Sequence, residues 1–413
     1  MVGLPARGKT YTARKIARYL SWLGHRTRVF NVGAYRRERL GSQHPHSWFD
    51  PENPEGTAAR LEVATTALDD MVAYLRSDGE VALYDATNTT RERRRVVLEE
   101  CDRNGIDTLF VESICDVEEV IEANVRATKL HSPDYAGMDP DEAVQDFRSR
   151  IAHYDRVYEP VDESEGSFIK IIDVGRKLIA HRIEGYLPAR VLYFLIHLHI
   201  QPRTIWLTRH GESQYNVAGR IGGDSPLSIN GVAYSKTLAR FVAERVGDGP
   251  PRPVWTSTLR RTIETADAIG GFHHAWKALD EIDAGVCDGM TYDEIARAMP
   301  GEFAARKADK FRYRYPRGES YQDVIQRLEP VIMALEHERQ PIWIVGHQAV
   351  LRALYAYLMD MPADQCTRVS IPLHTVIRLT PTAYGCVEKR FPLAPEPYDR
   401  EGFREGEGEV AAS

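Results

Sequence analysis

The segment Leu207-Thr208-Arg209-His210-Gly211-Glu212 sets an imidazole directly after an apolar, β-rich run, and Val345-Gly346-His347-Gln348 does the same further along. In an open α/β sheet the carboxyl ends of the strands face the ligand crevice, so both histidines fall where chemistry is done. An imidazole nitrogen attacks phosphorus when its second nitrogen is held by a hydrogen bond and guanidiniums spread the transferring charge. Arg209 beside His210 supplies one such cation. Arg261, in Ser257-Thr258-Leu259-Arg260-Arg261-Thr262 after the run Pro253 to Thr256, supplies another. Two histidines and two arginines so placed form one anion pocket. Leu279-Asp280-Glu281-Ile282-Asp283 offers Glu281 as the general acid that protonates a leaving oxygen, with Asp280 and Asp283 as close rivals.

A second chemistry stands at the other end of the chain. Gly3-Leu4-Pro5-Ala6-Arg7-Gly8-Lys9-Thr10 fits G-x-x-x-x-G-K-[ST] at every fixed position. Gly3 and Gly8 let the backbone wrap a polyphosphate, the following helix N-terminus donates to it, Lys9 neutralises charge and Thr10 offers a magnesium ligand. Asp85 ends the apolar run Val81 to Tyr84, where it can carry magnesium through water, take the proton of an attacking alcohol or simply cap the next helix. Thr87-Asn88-Thr89-Thr90-Arg91-Glu92-Arg93-Arg94-Arg95 sets hydroxyls and guanidiniums beside it, which suits a phosphorylated substrate. At helical spacing only one or two of these arginines can point inward, so the run is mainly a solvated face and not a nucleic-acid patch.

These groups need sheets to place them. The length of 413 residues predicts two or three domains. Charged residues at 27% and hydrophobic ones at 43% exclude a mostly disordered chain and a many-span membrane protein. A net charge of −7 disfavours nucleic acid as a bulk partner. Cys101, Cys115, Cys287, Cys366 and Cys386 are odd in number, scattered and without a CxxC pair, which predicts reduced thiols in a cytoplasmic protein. No signal peptide or membrane span is read from the sequence.

The runs Arg28–Val32, Val81–Asp85, Thr108–Glu112 and Phe168–Asp173 read as strands of a parallel sheet, followed by a helix over Arg176–Leu195. After a boundary near Gln201 come strands at Thr204–Thr208, Pro253–Thr256 and Pro341–Val345, with helices at Tyr11–Leu23 in the first unit and Asn230–Val246 and Tyr321–Arg339 in the second. Only Met1 and Val2 precede the glycine loop, where a P-loop fold places a full strand. The start codon is therefore expected upstream, the other reading being a first unit that lacks this strand and binds nucleotide poorly.

The flanking segments carry a resemblance. Gly3 to Tyr11, Phe30-Asn31-Val32-Gly33-Ala34-Tyr35-Arg36-Arg37-Glu38, Asp85 to Arg94, Ser132-Pro133-Asp134-Tyr135 and Ile172-Asp173-Val174-Gly175 resemble the kinase half of the bifunctional 6-phosphofructo-2-kinase/fructose-2,6-bisphosphatase family. Asn216 to Ser225, Trp276-Lys277-Ala278-Leu279, Tyr313 to Asp323, Leu328 to Met333 and Pro372-Leu373-His374-Thr375-Val376 resemble its bisphosphatase half, of the histidine phosphatase superfamily. The resemblance implies α/β folds throughout: a P-loop kinase domain with a parallel sheet over residues 1–200, its first strand truncated, then a phosphoglycerate mutase-like histidine phosphatase domain over 201–393, before a disordered tail at 394–413.

It further implies that ATP and magnesium serve the kinase half and no cofactor the other. Arg36, Arg60, Thr87, Arg93, Lys129, Arg150 and Tyr154 would hold fructose 6-phosphate, Asp85 would position or deprotonate its 2-hydroxyl, Asn124 would lie by the nucleotide and Cys115 would match a site cysteine. Arg209, Asn216, Gly222, Arg261, Tyr292, Arg306, Lys310, Tyr321, Gln348 and Arg352 would bind fructose 2,6-bisphosphate. His210 would be the nucleophile, Glu281 the acid, and His347 would stabilise the transition state. A homodimer is implied by the resemblance alone. Competing expectations are a bisphosphatase with a vestigial kinase half, a sugar-phosphate sensor without catalysis, and a general phosphoglycerate mutase-like phosphatase with a fused NTPase, which would turn over 3-phosphoglycerate equally.

Overall fold

The computed structural model describes residues 1–126, 133–199, 203–246, 252–382 and 385–394. The expected boundary at Gln201, the tail from 395 and Lys129 lie outside the described residues. Two compact units form, one holding Met1–Gln201 and the other Pro202–Ile332 and Glu338–Thr382. Among the described residues no helix is long and apolar enough to cross a membrane.

In the first unit β1 (Thr27–Asn31) pairs in parallel with β2 (Val81–Asp85), in a register that sets Asn31 opposite Asp85. β3 (Phe110–Ile114) pairs in parallel with β4 (Phe168–Ile172), and β5 (Lys177–His181) closes that sheet antiparallel. The expected helix over Arg176–Leu195 is therefore wrong in its first half. β5 is an edge strand, largely exposed, without the alternating apolar pattern that marks a half-buried strand, and the helix starts only at Tyr186.

Met1 and Val2 lie between β2 and β3. The Met1 amino group donates to the Tyr84 carbonyl (2.9 Å), Val2 N–H donates to the Val111 carbonyl (2.8 Å), and the Val2 carbonyl accepts from Ser113 N–H (2.9 Å). Two residues thus stand at the place of the strand that feeds the glycine loop. The face beneath β1 and β2 is covered by the helix Pro54–Ser77, whose Ala67, Leu68 and Met71 pack on Phe30 and Tyr84.

The second unit holds a six-stranded sheet. Its strands are β6 (Ile205–Arg209), β7 (Pro253–Thr256), β8 (Phe272–Ala275), β9 (Ile342–Gly346), β10 (Thr375–Thr382) and β11 (Gly385–Pro392), ordered β11-β10-β6-β9-β7-β8. β6, β9, β7 and β8 run parallel, and β10 joins β6 antiparallel. The register matters most for function: Trp206 is opposite Trp343, their rings stacked at 4.7 Å, which sets Arg209 opposite Gly346 and Val345 opposite Thr256. The next residues of three neighbouring strands, His210, His347 and Ser257, consequently leave the sheet side by side.

The single helix expected over Tyr321–Arg339 is two, Tyr321–Arg327 and Glu329–His337. Pro330 lacks the N–H that a continuous helix requires and clashes with the preceding turn, but fits the start of a new helix.

Candidate active sites

Register brings the two imidazoles to a ring separation of 5.1 Å. His210 Nδ1 lies 2.7 Å from the Gly211 carbonyl, which can only accept, so this nitrogen carries the proton. Both rings are wholly buried, and desolvation, followed by the charge of Arg261, holds both well below the ordinary imidazole range. A neutral ring protonated at Nδ1 leaves a lone pair on Nε2 of His210, the atom free for attack. His347 Nε2 meets the Ser257 hydroxyl at 2.8 Å, and that hydroxyl meets Thr262 Oγ1 at 2.7 Å. Ser257 was not singled out by sequence; only its place after β7, level with the histidines, could have marked it.

His210 opens into a cavity of about 360 Å³. Of the residues expected at this site, Arg209, Asn216, Gly222, Arg261, Glu281, Tyr292, Arg306, Lys310, Tyr321, Gln348 and Arg352 all line it, whereas His347 stands behind His210. Tyr215, Arg220, Tyr313 and Tyr315 line it too and were not selected.

Arg209 and Arg261 are the guanidiniums whose charges act on His210, and burial lowers Arg209 to about 10. Arg352 and Arg306 lie within electrostatic reach of Lys310 and are braced by phenols: Arg306 donates to Tyr315 and Tyr292 hydroxyls at 2.8 Å each, and Arg352 to Tyr321 at 3.2 Å. Gly222 has φ +70°, and a Cβ there would sit 1.6 Å from Asp288 Oδ1, so only glycine fits this turn.

The three acids differ in where their carboxylates point. Asp280 accepts from Thr258 N–H and hydroxyl at 2.8 Å and from Lys277 at 2.5 Å, and Asp283 accepts from Gly285 N–H, so both face away from the cavity lining. Glu281 faces inward. Its carboxylate accepts from the N–H groups of Gln348 and Ala349 at 3.2 Å, in the first turn of the helix Gln348–Leu358 that follows His347.

Lys310 gives a pH prediction. Burial, with Arg352 and Arg306 nearby, lowers its ammonium from 10.5 to about 8. A depressed lysine loses its charge as pH rises through the lowered value, so affinity for an anion beside Lys310 falls above about pH 8. The Kd of a doubly phosphorylated ligand, read by calorimetry, should rise by up to about tenfold per pH unit there. Lys310→Arg should flatten the profile.

The first unit gathers a second set. Gly3, at φ +132°, passes so close to β3 that a Cβ would lie 2.4 Å from the Ser113 carbonyl, and Gly8, at φ +82°, turns the chain into the helix Lys9–Trp22. Lys9 Nζ donates to the Leu4 carbonyl at 2.5 Å, folding back over the loop, with Thr10 in the first turn. Asn124 donates to the Ala6 carbonyl (3.0 Å), and the buried Cys115 follows β3. Asp85 is buried, and its Oδ2 accepts from the Asn31 carboxamide set opposite by register. The Thr87 carbonyl accepts from Gly3 N–H at 2.9 Å, tying that segment to the loop.

Phe49 organises the remaining cations: the guanidiniums of Arg150, Arg36 and Arg60 lie 3.5, 5.3 and 6.0 Å from its ring centre, and the Tyr154 ring lies at 6.5 Å. Asp134 pairs with Arg36 at 2.6 Å and with Arg150 at 3.6 Å. Arg36 Nε and Nη1 are buried without a partner, and burial lowers both Arg36 and Arg60. Arg93 stands within electrostatic reach of Arg60 and Tyr84. Its neighbour Arg94, wholly buried, clamps Glu165 at 2.6 and 2.8 Å and serves the fold. Phe49 and Asp134 had no role assigned from sequence; a lone aromatic carries no signal of its own.

Both halves of the chain match known families. Residues 1–202 match the family model described as 6-phosphofructo-2-kinase, and residues 205–392 that of the histidine phosphatase superfamily, branch 1. A relative from Gallus gallus named 6-phosphofructo-2-kinase/fructose-2,6-bisphosphatase is 51% identical over 390 residues, 94% of this chain and 82% of its own. Form 4 of that enzyme from Homo sapiens is 50% identical with the same coverage. One from Arabidopsis thaliana is 51% identical over 399 residues, 95% of this chain, which spans about half (53%) of that relative's length. With both halves matched in order and identity near one half over nearly all its length, the chain belongs to the 6-phosphofructo-2-kinase/fructose-2,6-bisphosphatase family.

Proposed function

We propose that the chain both makes and hydrolyses fructose 2,6-bisphosphate, hydrolysis passing through phosphorylated His210. The observation that carries this reading is one cavity lined by five cationic side chains, Arg209, Arg261, Arg306, Lys310 and Arg352, together with His210, whose Nδ1 is held by a backbone carbonyl, and the Glu281 carboxyl. Two phosphates on one small sugar match such a set of cations.

In the hydrolytic half, Arg306, Lys310 and Arg352 grip the 6-phosphate, and Arg209 and Arg261 the 2-phosphate. The Nε2 lone pair of His210 forms the N–P bond as the P–O bond to the sugar breaks. The electron pair stays on the sugar oxygen, which takes the proton of Glu281. Water then attacks the phosphohistidine, losing its proton to Glu281 and returning the imidazole. His347 and the arginines stabilise charge on the transferring phosphoryl group.

In the kinase half, ATP is a substrate held by the loop Gly3–Thr10, with Asn124 beside it. The Thr10 hydroxyl in the first turn of the helix after the loop is an oxygen donor of the kind that suits magnesium, an ion that binds through one or two protein oxygens together with substrate phosphates. Thr10 would hold the ion, which neutralises phosphate charge when bound. Arg36, Arg60, Arg93 and Arg150, with Thr87 and Tyr154, bind the sugar phosphate, the unpartnered Arg36 nitrogens being the donors left for it. Asp85 orients the 2-hydroxyl and takes its proton.

A direct test incubates the protein with ATP, magnesium and fructose 6-phosphate and assays the bisphosphate formed. Separately, 2-[32P]-labelled bisphosphate should leave an acid-labile label on the protein. Absence of label, or equal turnover of 3-phosphoglycerate, overturns the hydrolytic assignment; absence of bisphosphate synthesis overturns the kinase one.

A further inference from the structure

The Glu281 carboxyl reaches into the cavity from an irregular loop, and such a loop needs fixing before it can deliver a proton with precision. The fixing comes from Arg327, the last residue of the helix Tyr321–Arg327. Its Nη2 donates to the carbonyls of Asp280 (2.8 Å) and of Glu281 itself (3.3 Å), and its Nη1 donates to that of Ala278. Glu319 holds the guanidinium in turn, Oε1 accepting from Nε at 2.7 Å and Oε2 from Nη2 at 3.1 Å. The same Glu319 grips the far side of the loop: Oε2 accepts from Asp283 N–H (3.0 Å), and Glu319 N–H donates to the Asp283 carbonyl (2.9 Å). Both flanks of Glu281 are therefore tied to one ion pair, and neither Arg327 nor Glu319 itself lines the cavity.

We infer that Arg327 and Glu319 are positioning residues for proton donation by Glu281, acting on the leaving-group step and not on substrate binding. This rests on the hydrolytic reading above. A planar guanidinium offers a rigid fork that serves three carbonyls and one carboxylate together, which a lysine cannot do. Both side chains are about a quarter exposed, at 23% each, so their replacement opens no core cavity. A displacement of about 1 Å in a catalytic group costs on the order of a hundredfold in rate.

The role is separable from a structural one by changing the leaving group. A sugar alkoxide needs a proton in order to depart, whereas p-nitrophenolate leaves without one. In single-turnover experiments on the full chain, Arg327→Lys and Glu319→Gln should slow phosphorylation of His210 by fructose 2,6-bisphosphate by about 30- to 100-fold. Phosphorylation by p-nitrophenyl phosphate should change less than about threefold, with the inhibition constant of fructose 6-phosphate against the hydrolytic reaction unaltered. Glu281→Gln should show the same pattern more strongly. Equal slowing with both donors, or none with either, in the two clamp variants while Glu281→Gln retains its leaving-group dependence overturns the inference and leaves the acid role standing. Loss of that dependence in Glu281→Gln overturns the acid role and the clamp's function with it.

Discussion

His210→Ala should abolish hydrolysis of fructose 2,6-bisphosphate, lowering the turnover rate by at least about four orders of magnitude, since removing a nucleophile that forms a covalent intermediate leaves only binding and electrostatic stabilisation. That is about 5 kcal/mol of transition-state stabilisation. The magnitude follows from its surroundings: His347 Nε2 is engaged by the Ser257 hydroxyl, itself bonded to Thr262, and His347 does not line the cavity, so it does not take over the attack. The acid-labile 32P label should disappear with the activity, while fructose 2,6-bisphosphate binding persists because Arg306, Lys310 and Arg352 are untouched. Residual labelling elsewhere on the protein, or a fall of less than about a hundredfold, would contradict the assignment of the nucleophile.

Asp85→Asn should remove the other activity. The carboxylate is buried and accepts from the Asn31 carboxamide, which pairs as well with an amide oxygen, so the replacement keeps shape and that hydrogen bond. What it loses is the ability to take a proton. Synthesis of fructose 2,6-bisphosphate should fall by about a thousandfold, within the range general-base groups supply. Nucleotide binding by the loop and hydrolysis by the second unit should be unchanged, both measurable on the same preparation. Retention of more than about a tenth of the synthetic rate would reduce Asp85 to a cap on the neighbouring segment.

Much of both sites was legible because a strand's end announces itself: an apolar run followed by Arg-His, by Gly-His or by Asp fixes a residue at the crevice edge. Strand register was not legible. That His210, His347 and Ser257 emerge together depends on Trp206 lying opposite Trp343, a pairing between residues 137 positions apart that no local pattern encodes. β5 escaped because an exposed edge strand lacks alternation, whereas the break at Pro330 was written in the sequence and overridden by an apolar stripe that continues across it. Phe49 and the Arg327–Glu319 pair escaped for another reason: each works through neighbours distant in sequence, and their own residue types are ordinary.

The burial of both imbricated imidazoles has an outcome in solution. Since desolvation keeps them uncharged, acidification that would half-protonate a free histidine near pH 6.5 does not remove the attacking lone pair. Lys310 meanwhile is fully cationic in that range. Nucleophile and anchor thus stay armed together in acid surroundings, and it is on the alkaline side that the hydrolytic half loosens its hold.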